Sequence, residues 1–218
     1  MGTAPFVVAP TNAALVVVDL QNDFVRAGAP QEVSDARLTL SIVASLIDAC
    51  RGASIPVLYT RYTAGPIATH LGWFSPECGP ELRSCWPGVS RVYADRSEPL
   101  LGHDIVDEIP PATGETVIDK YGYGSFENTS LDDSLRARGV RQVWLVGTVT
   151  QICVEETARE GFRKGYEVVV AADAVSSFDP DLHTAALRNL AQKFALVVDA
   201  AALVDAASAH QARPGLAS

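Results

Sequence analysis

Val143–Arg163 reads VWLVGTVTQICVEETAREGFR, and the fold is decided by how this stretch divides. Val143–Gly147 is an apolar run closed by glycine, the pattern of a buried strand. Thr148–Ile152 reads as a short turn, and Val154–Arg163 reads as a helix. Cys153 then sits where the helix begins. Unpaired N–H groups and the positive end of the helix dipole meet there, and both favour a thiolate over a thiol. The alternative role is a small buried apolar residue at a strand–helix junction.

The chain repeats this alternation on both sides. Ala13–Asp19, AALVVVD, is an apolar run ended by a carboxylate. Ser34–Gly52 carries Leu38, Ile42, Val43, Leu46 and Ile47 at helical spacing, and Ile55–Tyr59 forms a second strand. Glu115–Asp119 is a third strand, followed by the loop YGYGSFENT and a helix over Thr129–Arg138. Gln142–Val146 is the fourth strand, Glu167–Ala171 the fifth and Ala195–Val198 the sixth. Helices over Asp181–Lys193 and Ala200–Ala209 complete the set, and residues 210–218 form a frayed tail. From Arg61 to Thr113 the periodicity dissolves, apart from a short helix within Leu100–Ile109. So long a loop serves as a pocket wall or an interface. The pattern is that of a single α/β domain over residues 1–218. It is a three-layer α/β/α doubly wound fold around a six-stranded, mainly parallel sheet.

Composition narrows the function. The 218 residues are 48% hydrophobic and carry a net charge of −9, which disfavours nucleic acid as a partner. Asp19 stops the N-terminal apolar run well short of a membrane span, and no basic segment precedes it, so a cytoplasmic protein is expected. The four cysteines form no C-x-x-C pair and read as reduced thiols. His70, His103, His183 and His210 lack metal-ligand spacing and read as surface residues, so no metal and no other cofactor is expected. Gly122, Gly124 and Gly147 form no dinucleotide fingerprint.

In a doubly wound sheet, ligands bind beyond the carboxyl ends of the strands. Asp19 ends strand one, Lys120 follows strand three and Cys153 follows strand four, so all three project from one edge. Asp19 is able to accept the thiol proton and return it to a leaving amine, while Lys120 favours negative charge on both. The turn at 148–153 is able to aim backbone N–H groups at an acyl oxyanion. Each residue alone also has a plain structural role, Asp19 as a strand-end carboxylate and Lys120 as a surface lysine.

These residues also carry a resemblance. DLQNDF at 19–24, Lys120 ahead of YGYGSFENTSLDDSLRARGV, GTVTQICVEETAREGFRKGYEVVVAADA at 147–174 and NLAQKFALV at 189–197 occur in order. Together they resemble the isochorismatase-like cysteine hydrolases, with the N-carbamoylsarcosine amidase-like branch favoured. The resemblance implies a catalytic triad of Asp19, Lys120 and Cys153, and an oxyanion hole from the N–H groups of Val149 and Cys153. It further implies a cis peptide between Thr148 and Val149 and the sheet order 3-2-1-4-5-6. Homodimers or homotetramers are the assemblies it suggests.

The implied substrate is a small amide or urea. The Asp-x-His pattern with which nicotinamidases hold a metal is missing after strand two, where the chain reads YTRYTAGPIATH. Arg61 is a candidate fork for a substrate carboxylate, or a partner for a carboxylate of its own chain. Phe24, Trp73, Trp86, Tyr123 and Phe126 are candidate pocket aromatics, with core packing as the alternative. Gln21 in the DLQNDF block and Gln151, where the family usually has an acid, are further candidate binding residues. Vinyl-ether hydrolysis with Asp19 as the acid, and a non-catalytic binding module on the same fold, are the competing readings.

Overall fold

The computed structural model describes residues 6–66 and 74–212. Six parallel strands, β1 (Ala13–Val18), β2 (Val57–Tyr62), β5 (Thr116–Lys120), β6 (Gln142–Thr148), β7 (Glu167–Ser176) and β8 (Leu196–Val198), form one sheet in the order β5-β2-β1-β6-β7-β8. Two short strands, β3 (Ser90–Arg91) and β4 (Leu100–Leu101), make a separate antiparallel pair. The helices are α1 (Asn22–Val25), α2 (Ala36–Gly52), α3 (Leu131–Arg136), α4 (Glu155–Arg163), α5 (Pro180–Lys193) and α6 (Ala200–Gln211).

Why β1 lies at the centre follows from its composition. All six of its residues are buried, and alternate side chains enter two different cores. Leu15 and Val17 pack on the face carrying α2 and α6, with Val43, Leu46 and Leu203. Ala14, Val16 and Val18 face the other layer, with Leu135, Ala158 and Leu190. A strand covered on both faces needs an unbroken apolar run, and AALVVV supplies it. Among the described residues no helix is long and apolar enough to cross a membrane.

Strand ends differ from the sequence expectation where side chains supply what apolar patterning cannot. β2 runs on to Tyr62 because the Gln21 side chain accepts from Tyr62 N–H at 2.6 Å and donates to Tyr62 C=O at 3.1 Å. β7 continues five residues beyond Ala171, through the polar Asp173, which accepts from Ala200 N–H at 2.7 Å at the start of α6. The helix expected over Thr129–Arg138 is shorter, because the Thr129 hydroxyl accepts Leu131 N–H and holds the preceding turn.

Within Arg61–Thr113 there is a 3-10 turn, Pro76–Cys78, and the β3–β4 pair. The expected helix within Leu100–Ile109 is not formed, because Leu100 and Leu101 pair with β3 and Gly102 packs tightly on Asp23. The expected tail begins later, since α6 runs through His210 and Gln211; residues 213–218 lie outside the described residues.

Gly147 shows how closely β6 and β1 approach at the functional edge. Its φ is +119°, and a Cβ there would lie 2.0 Å from Val18 C=O. Backbone, unlike a flexible side chain, cannot move aside. Gly147→Ala is expected to cost about 3 kcal/mol, lowering the calorimetric melting midpoint by roughly 6–12 °C. An unchanged midpoint would show that the approach is not tight.

Candidate active site

β1 ends one residue before Asp19, whose φ of 51° places it in the left-handed region that Asp tolerates better than most side chains. That turn directs its fully buried carboxylate across the strand ends. Thr60 on β2 donates its hydroxyl to Asp19 Oδ1 at 2.7 Å. Lys120, the last residue of β5 and also fully buried, places Nζ 2.8 Å from Asp19 Oδ2. The same ammonium donates to Gly122 C=O at 3.0 Å and Tyr123 C=O at 2.7 Å.

Those two carbonyls are held in place from α4. Glu160, buried on that helix, accepts Phe126 N–H at 2.8 Å, and Ser125 bonds Thr157 at 2.8 Å. The loop must lie so close to Glu160 that a Cβ on Gly124 would fall 2.4 Å from its carboxylate.

Cys153 differs from its expected setting. Thr150–Val154 forms a single π turn, and α4 begins only at Glu155, so the cysteine lies inside a widened turn rather than at an α-helix N-terminus. Val154 N–H reaches back five residues to Val149 C=O at 3.2 Å. The Thr148–Val149 peptide is cis. The Val149 N–H, the Asp19 carboxylate and the Lys120 ammonium all lie beside the Cys153 sulfur and bear on its charge.

The charge state also differs from the expected thiolate. Burial pushes the Cys153 thiol up to about 12; Lys120 opposes this and the Asp19 charge adds to it. Burial alone pulls Lys120 down, yet Asp19 and the Cys153 sulfur outweigh it, and the ammonium titrates above its ordinary value. The resting site is therefore a neutral thiol beside an ion pair.

A cavity of about 330 Å³ opens above the sulfur. Phe24, Tyr123, Val149 and Cys153 line it, together with Tyr62 and Ile152. Gln31, Glu32, Ser75 and Glu77 supply polar wall, and the exposed Phe74 and Phe178 stand among its lining residues. Sequence reasoning missed Gln31 and Glu32, although they lie in the loop between β1 and α2. The rule placing ligands beyond strand carboxyl ends was the available signal.

Other candidates lie elsewhere. Arg61 is bound to Asp119 at 2.7 Å and Asp104 at 3.1 Å, which occupies its guanidinium. Gln21 is fully buried and spends its amide on Tyr62 and His103 C=O, so it is scaffold. Trp86 donates to Cys78 C=O at 2.8 Å and covers Gly65. Phe126 packs in the core against Tyr166 and Gly161. Gln151 lines a neighbouring groove with Glu155, Arg159 and Arg163, which does not include Cys153. Trp73 and His70 lie outside the described residues.

His103 is buried, not at the surface. Its Nε2 lies 2.7 Å from the Thr63 hydroxyl, and burial holds it below the usual histidine range. His183 is half-buried, with Nδ1 2.9 Å from the Thr150 hydroxyl. All four cysteines are free and buried. Among the described residues no three His, Cys, Asp or Glu side chains gather as metal ligands. Directly after β2, Thr63 bonds His103.

A raised thiol pKa has a direct optical consequence. The ultraviolet thiolate absorbance of wild type minus Cys153→Ala is expected to be absent below about pH 9, where a free thiol would already be half ionised, and to appear only as pH approaches 12. A thiolate step at neutral pH would contradict the neutral resting site.

The isochorismatase domain model matches residues 13–202. Nicotinamidase 3 of Arabidopsis thaliana is 34% identical over 187 residues, 86% of this chain and 84% of that one. Ureidoacrylate amidohydrolase RutB of Methylobacterium radiotolerans is 33% identical over 214 residues, 93% of this chain and 82% of that one. A cysteine hydrolase structure from Pseudomonas syringae pv. phaseolicola 1448A superposes with a TM-score of 0.82 at 23% identity, covering 96% of this chain and 99% of that one, a likeness of fold. With its fold, its strand-edge site and nearly all of its length accounted for, the chain belongs to the isochorismatase family.

Proposed function

We propose that this protein is a metal-independent cysteine hydrolase that cleaves the C–N bond of a small amide or carbamoyl compound and releases ammonia. The observation that carries the reading is the Asp19–Lys120 pair within reach of the Cys153 sulfur, beneath a substrate-sized cavity. The named relatives, a nicotinamidase and a ureidoacrylate amidohydrolase, are consistent with amide or urea chemistry.

The steps follow from the charge states. As the substrate carbonyl meets Cys153, Asp19 Oδ2 takes the thiol proton while the S–C bond forms. Oδ2 suits this role because Oδ1 already accepts Thr60, whereas Oδ2 has only the lysine ion pair. The Val149 and Cys153 N–H groups receive the oxyanion. Asp19 then passes its proton to the nitrogen, the C–N bond breaks, and ammonia leaves a thioester. Water attacks the thioester, giving a proton to Asp19 that returns to sulfur as the acid departs. Lys120 stays charged throughout and holds Asp19 in place.

Vinyl-ether cleavage gives the thiol no role, and a binding module gives the buried ion pair none. The four free thiols fit a cytoplasmic enzyme.

Ammonia release from a panel of primary amides and ureas, with chelator present, is expected for wild type. Cys153→Ala should abolish it, and Asp19→Asn should slow it by about 10²–10⁴-fold, with folding verified by melting. Turnover surviving in Cys153→Ala, or silence across the panel, would overturn the amidase reading.

A further inference from the structure

We propose that the cavity above Cys153 is charge-selective: it takes amides whose remaining body is uncharged or cationic and turns away those bearing a carboxylate. This rests on Cys153 being the reacting thiol and adds the class of substrate.

Two independent features of the wall support it. The first is charge. Among the described lining residues the only formally charged side chains are Glu32 and Glu77. Glu32 is held ionised by Gly28 N–H at 2.8 Å and by Arg37 at 2.7 Å, so its charge is largely matched. Glu77 stands half-buried in the 3-10 turn, and no ion pair to it occurs among the described residues. It therefore gives the cavity a net negative wall. The cations nearby are committed elsewhere. Lys120 is saturated by Asp19 and two carbonyls, and Arg61 by two carboxylates. Arg159 pairs with Glu155 and lies over Phe194, in a groove that shares Tyr123 and Ile152 with the cavity but not Cys153. A ligand carboxylate would lose its hydration beside Glu77 and find no uncommitted cation among the described lining residues in return.

The second feature is an unused polar group. Tyr62 is 2% exposed and lines the cavity, yet among the described residues its hydroxyl finds no hydrogen bond of ordinary geometry; the Cys78 thiol is its neighbour. Its ring is fixed against Tyr123 at 6.0 Å and Phe24 at 6.3 Å, with the Lys120 ammonium 5.4 Å from its centroid. Burial holds the phenol protonated. A buried hydroxyl without a partner is costly, and a ligand oxygen or nitrogen would relieve it. The wall thus offers aromatic faces, the Tyr62 hydroxyl and the Glu77 carboxylate, a set that suits neutral or amine-bearing molecules.

Alkylation reads this without requiring turnover. Wild-type protein is treated with iodoacetamide or iodoacetate, the site located by peptide mass spectrometry, and each rate divided by that of glutathione. The amide reagent is expected to be favoured at Cys153 by about tenfold or more beyond its glutathione preference, the effect of one carboxylate at close range. Glu77→Gln should reduce that preference and Glu77→Lys should reduce it further. A normalised preference near one, or a preference unmoved in both variants, would overturn the charge selection while leaving the nucleophile intact. Failure of both reagents to modify Cys153 would overturn the nucleophile reading and this inference together. For the amide turned over fastest, Tyr62→Phe should raise KM several-fold with a smaller change in kcat. An unchanged KM would remove Tyr62 from substrate binding.

Discussion

The buried ion pair between Asp19 and Lys120 is the constraint on which the rest of the site depends. Both side chains are fully removed from solvent and lie 2.8 Å apart. Taking two charges out of water is repaid only when each finds further partners. Thr60 completes Asp19, and the carbonyls of Gly122 and Tyr123 complete Lys120. Removing either member would strand a charge in the interior at a cost of about 3–5 kcal/mol. The pair therefore fixes the ends of β1 and β5 relative to one another. It also explains why position 124 must be glycine, since the loop that carries these carbonyls lies tight against Glu160 there.

The same economy of buried charge organises the long segment that forms the cavity wall. Asp23, fully buried in α1, accepts Tyr93 hydroxyl at 2.7 Å and Cys85 N–H at 2.7 Å, and pairs with Arg91 at 2.9 Å. Arg26, the residue after α1 and also buried, binds Asp107 and Glu108, and Arg96 joins both carboxylates. A segment with little regular backbone pairing is thus tied to α1, a few residues after Asp19. Wall and catalytic edge share one foundation, although the wall lacks a strand of its own in the main sheet.

Burial sets the chemistry as well as the geometry. A thiol held neutral by its surroundings is a poor nucleophile until a base is aligned with it, and the Asp19–Lys120 pair lies beside this one.

By itself the sequence determined the six-strand alternation, the central place of AALVVV and the common edge shared by Asp19, Lys120 and Cys153. Apolar runs, their terminating polar residues and the rule for strand carboxyl ends are local signals, and each was legible. What lay beyond was decided by contacts far apart in the chain. The extension of β2 depends on Gln21, 41 positions from Tyr62; the withdrawal of Arg61 depends on Asp104 and Asp119. The neutral thiol depends on complete burial, and the cavity wall depends on side chains that α1 gathers from the long segment. A sequence shows which groups are able to ionise or bond. Only the tertiary structure decides which of them have already found a partner, because desolvation and long-range pairing are properties of the packed whole.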